Sequence, residues 1–557
     1  MSDAIEAVNI AAHLPAMARH QPHRQAVVFP HGRDAAGRVS YTHFTFRQLD
    51  DESDRIAAGL IDYGITRGMR TVLMVTPSLD FFALTFALFK IGAVPVMIDP
   101  GMGIKNLGQC LAEAEPEAFI GIPKAHVARW LFRWANGTLK QLVTVGRRLF
   151  WGGDTLAAIR GRVNANHGFK MAATRADEVA AILFTSGSTG VPKGVVYTHG
   201  IFDSQVKKLK AIYNIQPGEI DLPTFPLFAL FAPALGMTAI IPDMDATRPA
   251  NVDPAMIGEC IENFGVTNMF GSPALINRIS RYGVAKGIKF PSLKRVISAG
   301  APVSAAILER FSKMLEPDAQ IFTPYGATEV LPVASIGSHE ILNDTAARTK
   351  TGGGVCVGKP VMGIELKVIR ITDEPIADWS EDLLVANGEI GEIAVRGENV
   401  TREYYNRPES TKLGKIPDSK NGGSYHRMGD VGYRDDTGRI WFCGRKAHRV
   451  ITDSGTLFTI PCEGIFNTHP EVFRTALVGV PRNETTEPVL CVELDSESRH
   501  QTEATIRTEL LKIGSQYELT RNIKTILFHP AFPVDIRHNA KIFREKLAVW
   551  AAASKPM

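Results

Sequence analysis

At 557 residues, with 45% hydrophobic and 22% charged side chains, the chain has an ordinary globular composition and is too long for one hydrophobic core, so two or more domains are expected. A formal charge of +4 is small for this length and gives no reason to expect a nucleic-acid partner. The six cysteines, Cys110, Cys260, Cys356, Cys443, Cys462 and Cys491, show neither C-x-x-C nor Cys/His ligand spacing and read as buried small hydrophobes in a reducing compartment.

No basic and apolar leader opens the sequence. Met1 to Arg19 reads as an amphipathic helix with acidic residues near its start, and the cytoplasm is the expected compartment. Between Thr42 and Gly64 a short strand precedes a helix capped near Thr45, with apolar positions at Leu49, Ile56, Leu60 and Ile61. Arg70 to Val75 reads as a strand, Leu79 to Ile91 as a helix and Val94 to Ile98 as a strand, an alternation that means parallel sheet. It resumes at Leu107 to Glu115, Ala118 to Ile122 and Gln141 to Val145.

From Arg129 to Trp151 there are five basic residues, no acidic ones and three of the six tryptophans. Such a stretch suits a membrane surface or a partner; a packed helix with snorkelling arginines is the plainer reading.

An apolar run from Val179 to Phe184 leads into Thr185-Ser186-Gly187-Ser188-Thr189-Gly190-Val191-Pro192-Lys193-Gly194, whose side chains are mostly hydroxyls and one lysine. Glycines at 187, 190 and 194 let backbone N–H groups turn towards an anion, the hydroxyls of Thr185, Ser186, Ser188 and Thr189 add donors, and Lys193 adds a full charge. This is a nucleotide phosphate loop. It is not the Walker type, because Pro192 precedes the lysine and Gly194 comes after it where that pattern needs Gly and Ser or Thr. It resembles the phosphate loop of the ANL superfamily of adenylate-forming enzymes.

A helix runs from Thr198-His199-Gly200 to Tyr213, and then comes Asp221-Leu222-Pro223-Thr224-Phe225-Pro226-Leu227-Phe228-Ala229-Leu230-Phe231. Many acyl-CoA-forming relatives carry a histidine or polar aromatic where this chain has Ala229, so the acyl pocket, with Phe228, Ala229 and Phe231 as its expected substrate contacts, is unusually apolar. The uncharged run Leu222 to Pro242 has the length of a membrane span, but Pro223, Pro226, Pro233 and Pro242 interrupt it. A second α/β run places Arg295-Val296-Ile297-Ser298 before Ala299-Gly300-Ala301-Pro302-Val303, with a helix after Pro302. Ligands sit at the carboxyl ends of parallel strands, so a planar base can lie on the bare backbone of Gly300, Ala301 and Pro302, a segment similar to the family's adenine site.

Phe322-Thr323-Pro324-Tyr325-Gly326-Ala327-Thr328-Glu329 matches the family's Y-G-x-T-E. The resemblance implies that Tyr325, with Gly326 and Ala327, holds adenine, that Thr328 bonds phosphate, and that Glu329 ligates Mg²⁺ beside the β- and γ-phosphates of ATP. Gly352 to Gly397 turns β-rich and alternating, which predicts a partly closed antiparallel sheet. Met428-Gly429-Asp430 resembles the T-G-D motif, whose aspartate accepts both ribose hydroxyls, and Gly444-Arg445-Lys446-Ala447 resembles the family's hinge, with Arg445 reaching the ribose or α-phosphate.

The expected division is a large adenylating domain of parallel sheets flanked by helices plus a small β-barrel-like subdomain, residues 1–444, and a smaller mobile α+β domain, residues 445–557. Strands Ala476 to Val480, Val489 to Leu494 and Lys524 to Phe528 and a helix from Thr502 to Ile513 belong to the latter. Near its end, Asp535-Ile536-Arg537-His538-Asn539-Ala540-Lys541 keeps the superfamily's catalytic lysine at Lys541, although Asn539-Ala540 stand where Ser-Gly is common. That lysine is expected to stabilise the attacking carboxylate and the α-phosphate.

This segment, with Pro226 to Phe231 and Val143 to Arg148, looks most like the olefin β-lactone synthetases of bacterial long-chain olefin biosynthesis. The resemblance implies adenylation of a long-chain 2-alkyl-3-hydroxy fatty acid and closure of a β-lactone by its own hydroxyl, with AMP and pyrophosphate released. It also implies partnership with the other enzymes of that pathway in an assembly. Position alone nominates His199, His426 and His538 as acceptors of the hydroxyl proton. A long-chain acyl-CoA synthetase or acyl-AMP ligase, and a non-catalytic scaffold, are the competing expectations.

Overall fold

The computed structural model describes residues 7–163, 169–185, 192–482, 485–495, 500–535 and 541–554. The phosphate-loop residues Ser186, Gly187, Ser188, Thr189 and Gly190, and His538, lie outside them.

Two large sheets carry the chain as far as Arg445. One has seven strands in the spatial order Asp154–Thr155, Gln141–Thr144, Ala118–Gly121, Arg70–Met74, Val94–Met97, Val179–Phe184 and Gly194–Thr198. Every neighbouring pair is parallel except the last, which forms the hairpin that holds the phosphate loop. The other has fourteen strands. Its parallel part runs Gln25–Arg33, Thr238–Ile240, Ile220–Pro223, Asn268–Phe270, Arg295–Ile297 and Gln320–Ala327. From Val330–Gly337 onwards, through Val355–Pro360, Ile440–Arg445, Ser424–Arg434, Gly391–Gly397 and Ile364–Ile369, the pairing is antiparallel. The β-rich region is thus antiparallel, as its alternation requires, and joins the mixed sheet where Ala334 faces Pro360.

Local chemistry sets the ends of the helices. Thr45 and Gln48 form a capping box at the start of Phe46–Tyr63, and Gly64 closes it at φ +99°. Leu79–Ile91 is apolar all round and buried nearly throughout, the pattern of a helix inside the core. Its Lys90 is 1% exposed and compensated by Asp50 at 2.6 Å and Asp54 at 2.5 Å.

After Arg445 the chain forms a smaller lobe. Val472–Arg482 pairs antiparallel with Thr485–Leu494, which runs parallel to Thr525–Phe528, and the helices Thr459–Phe466, Glu503–Ser515 and Arg544–Ala553 cover this sheet. Arg281 to Asp495 at 2.7 Å and Arg449 to Asp373 at 2.6 Å tie the lobe to the large sheets.

Three expectations need correction. Residues 1–6 of the expected Met1 to Arg19 helix lie outside the described residues, and the rest is not one continuous helix: Asn9 caps a single turn, Ile10–Ala12, and the α-helix proper is His13–His20. Ile61 is 46% exposed while Leu49, Ile56 and Leu60 are fully buried, because the apolar stripe of that helix is narrower than its composition implies. Arg129 to Trp151 is not a packed helix. The helix Pro123–Leu131 stops where Arg133 and Ala135 take positive φ, and much of the chain from Phe132 to Phe150 faces solvent. All six cysteines are free and buried, and among the described residues no helix is long and apolar enough to cross a membrane.

Candidate active site

The carboxyl ends of the parallel strands of both sheets open into one cavity of about 3000 Å³. Thr185 and Lys193 stand at the two ends of the phosphate loop. Thr185 N–H donates to the Lys193 carbonyl at 3.0 Å, which pins the loop's neck. Lys193 points its ammonium at the face of Tyr404, 4.9 Å from the ring centroid, and burial lowers its pKa against the pull of Glu329.

Gly300, Ala301 and Pro302 form part of the wall after the strand Arg295–Ile297, with Gly300 at φ +100°, a conformation a side chain would strain. The helix expected after Pro302 starts at Ala305, capped by the Ser304 hydroxyl. Tyr325, Gly326, Ala327, Thr328 and Glu329 line the cavity where Gln320–Ala327 turns into Val330–Gly337.

Asp430, 5% exposed, lies across the cavity on Ser424–Arg434. Its Oδ2 accepts the Tyr325 hydroxyl at 2.7 Å and its Oδ1 accepts from Arg445 at 2.7 Å. Each oxygen keeps a further lone pair for a ribose hydroxyl. Burial and the Asp430 charge hold the Tyr325 phenol far above its usual pKa, so Tyr325 is a donor, not a base.

Lys541 lines the same cavity. It is held in place by its own backbone: Asp535 N–H donates to the Lys541 carbonyl at 2.9 Å, and Val534 bridges Ile542. Burial lowers the pKa of its amine and the charge of Arg445 adds to this, while Asp535, Asp430 and Glu329 act in the opposite sense. Residues from the loop at 185–193, the turn at 325–329, strand 424–434, residue 445 and residue 541 therefore meet in one cleft.

Several polar side chains that motif spacing did not single out stand here too. Tyr404 donates to Glu329 Oε1 at 2.6 Å. Thr401 bonds the Glu329 carbonyl through N–H and hydroxyl, and the buried Lys415 donates to the Thr401 carbonyl. Burial pushes the Lys415 amine down to about 7. Gln205, 4% exposed, borders the cavity, donates to the Leu331 carbonyl at 3.1 Å and keeps its own side-chain oxygen buried, with no partner among the described residues. No local sequence signal marks these residues, since their contacts span 72 to 126 positions or, for Lys415, pass through Thr401.

Of the histidines nominated by position, His199 is fully buried, accepts the Ile10 N–H at 3.2 Å and lies off the cavity wall, which makes it structural. His426 touches the cavity, but its Nδ1 is bonded to Gly414 O at 3.0 Å and burial drives its pKa well below the usual value. Asp221, which lines the cavity beside its partner Asn268, is pushed up to about 7 by burial.

Phe228, Ala229 and Phe231 lie on the cavity wall, where Phe228 meets Phe270 at 4.4 Å between ring centroids. Alternate residues of the strands at 70–74, 94–97 and 179–184 fall into two apolar clusters, so the seven-stranded sheet presents an apolar wall on each face. Phe81, Phe86, Phe89, Phe202 and Phe231 line the cavity on one face. Ile98, Leu107, Ala125 and Trp134 line it on the other.

Among the described residues there is no group of three or more His, Cys, Asp or Glu side chains of the kind a metal held wholly by protein requires. Two carboxylates face the cations of the cleft: Asp430 is already engaged by Tyr325 and Arg445, and Glu329 accepts from Tyr404 through one oxygen. That donor set fits Mg²⁺ carried on a nucleotide, which takes most of its ligands from phosphate and water.

This fold and cleft define an adenylate-forming ligase, and the family model described as AMP-binding enzyme matches residues 14–405. The chain belongs to the AMP-binding enzyme family. It is 52% identical over 551 residues to an olefin beta-lactone synthetase of Stenotrophomonas maltophilia, covering 98% of each chain. An olefin beta-lactone synthetase of Xanthomonas campestris is 51% identical with the same coverage. A long-chain-fatty-acid–CoA ligase of Salmonella typhimurium is 25% identical over 80% of each chain. Among solved structures, an amide bond synthetase from Marinactinospora thermotolerans superposes with a TM-score of 0.78 at 19% identity, over 97% of this chain and 99% of that one. ATP-bound MatB from Rhodopseudomonas palustris gives 0.77 at 20% identity, over 98% and 99%.

Proposed function

We propose that this ligase adenylates a long-chain 2-alkyl-3-hydroxy fatty acid with ATP and closes the acyl adenylate to a β-lactone, releasing pyrophosphate and then AMP. The observation that carries the reading is the continuity of the polar cleft with an apolar cavity walled on both faces of the seven-stranded sheet, and we read the two walls as taking the two alkyl branches of one acid. The near full-length similarity to two olefin beta-lactone synthetases supports the same reading.

In the first step a carboxylate oxygen attacks the α-phosphorus and the bond to pyrophosphate breaks. Gly300 to Pro302 and Tyr325 hold the base, Asp430 takes the ribose hydroxyls, and Lys193 and Thr328 hold phosphate. Lys541 and Arg445 stand where charge gathers on the α-phosphate and the incoming carboxylate, and in a cleft partly closed to water such cations act strongly. Mg²⁺ bound at Glu329 would neutralise the β- and γ-phosphate charge. In the second step the 3-hydroxyl oxygen attacks the acyl carbon, the bond to AMP breaks, and a proton is released. Holding the hydroxyl beside the mixed anhydride makes this an intramolecular reaction, which offsets part of the ring strain. We assign the lid role to residues 445–557, with 1–444 as the adenylating body.

Mass spectrometry of the product from racemic 2-alkyl-3-hydroxy acid and Mg·ATP, without coenzyme A, tests the proposal. A product lighter than the acid by one water, with AMP formed, is expected. A thioester formed only with coenzyme A would replace it by the acyl-CoA ligase reading, and no ATP turnover with any acid would leave the scaffold.

A further inference from the structure

The segment from Val127 to Phe150 is not absorbed by the chemistry above. Of the fourteen exposed large apolar side chains among the described residues, six fall within it: Val127, Trp130, Leu131, Phe132, Leu149 and Phe150. Trp130 is 56% and Phe150 64% exposed, and their rings meet edge to face at 5.2 Å, so two chain segments form one surface. Rigid buried rings support it. Phe150 packs on the buried Trp151, which stacks on His126, and Phe132 stacks on the buried Trp134. An apolar surface of this kind normally marks a contact.

Its charge is one-sided. Arg133, Lys140, Arg147 and Arg148 are exposed around it, and Arg129 to Trp151 contains no acidic residue. Lys140 is paired with Glu117 at 3.0 Å, while Arg133 and Arg147 have no ion-pair partner among the described residues. Aromatic tips ringed by unpaired arginines match the boundary between the acyl chains and headgroups of an anionic bilayer. The same segment also reaches inwards: Ala128 and Trp134 line the cavity, on the wall that includes Ile98, Leu107 and Ala125. A protein partner would account for the exposed side but not for the continuity with an apolar cavity.

We infer that this surface docks the enzyme on an anionic lipid bilayer, with the mouth of the apolar cavity beside the acyl layer, so that a lipid-like acid enters without crossing water. The inference does not depend on lactone formation, because docking is read without substrate.

The test is co-sedimentation of the full chain with phosphatidylcholine vesicles, with and without phosphatidylglycerol. Two double variants accompany it: Trp130→Ser with Phe150→Ser, and Arg133→Glu with Arg147→Glu. Expected are partition onto the anionic vesicles only, partition at least tenfold weaker in each double variant, and unchanged melting midpoints. If the aromatic variant fails to fold, the charge variant decides alone. No partition of the wild type onto anionic vesicles, or equal partition of the variants, would overturn the inference. So would self-association in light scattering that the variants abolish while vesicles bind neither form, since the surface would then join two copies of this chain.

Discussion

Tyr404 donates its hydroxyl proton to Glu329 at 2.6 Å while the face of its ring carries the Lys193 ammonium at 4.9 Å. One side chain thus ties the end of the phosphate loop to the carboxylate assigned to Mg²⁺. Tyr404→Phe keeps the ring and removes one hydrogen bond to a charged group, a contact worth about 1.5–3 kcal/mol. A fall of roughly tenfold to a hundredfold in kcat/KM for ATP–pyrophosphate exchange is expected. Exchange at the wild-type rate would show that Glu329 does not need this bond.

Lys541 approaches the cleft from the smaller lobe and shares it with Arg445, Asp430 and Glu329. Lys541→Ala should lower the rate of acyl-adenylate formation by about 10²–10³, as loss of a charge-stabilising donor costs roughly 2.7–4 kcal/mol of barrier. The melting midpoint should hardly move, because this side chain is not in a hydrophobic core. Stopped-flow pyrophosphate release measures it; an unaltered burst removes Lys541 from the first step.

Glu329→Gln keeps an acceptor for Tyr404 and removes the negative charge. The Mg²⁺ concentration for half-maximal exchange should rise about tenfold to a hundredfold, the usual consequence of damaging a metal site. A Mg²⁺ titration that superposes on the wild type would place the ion elsewhere.

Asp221 is 4% exposed and its carboxyl is pushed up to about 7 by burial, with Asn268 hydrogen bonding opposing the shift. A raised folded pKa means that the folded state binds the proton more tightly than the unfolded chain. Asp221 therefore destabilises progressively as pH rises from about 4 to about 7, and the full cost persists above that. Asp221→Asn, which retains an acceptor for Asn268, should gain little in melting midpoint at pH 4.5 and several degrees at pH 8. A gain independent of pH would mean that Asp221 ionises normally.

The candidate site was read from local text, because phosphate binding imposes local rules, and the structure brings Thr185, Lys193, residues 300–302 and residues 325–329 to one cavity. A glycine and hydroxyl loop after an apolar strand, small residues at 300–302 and the 325–329 turn are contiguous texts whose backbone demands survive in any context. The cap at Thr45 and the helix Leu79–Ile91 were legible for the same reason, since capping and all-round apolarity act within one element. Tyr404, Lys415 and Gln205 were not, because each matters through a partner from a distant segment: Tyr404 sits 75 positions from Glu329.

The sequence by itself determined the alternation that makes the parallel sheets and the prolines that break the uncharged run Leu222 to Pro242, and its motifs pointed to an adenylate-forming ligase. Tertiary structure alone decided that residues as far apart as Lys193, Asp430 and Lys541 share one cleft, that the apolar strands wall the cavity on two faces, and that Trp130, Phe132 and Phe150 of the basic aromatic stretch face outwards while Trp134 and Trp151 are buried. The physical reason is range: dihedral preferences, capping and hydrophobic period act over a few residues, whereas sheet order and the burial of a ring depend on which distant strands pair.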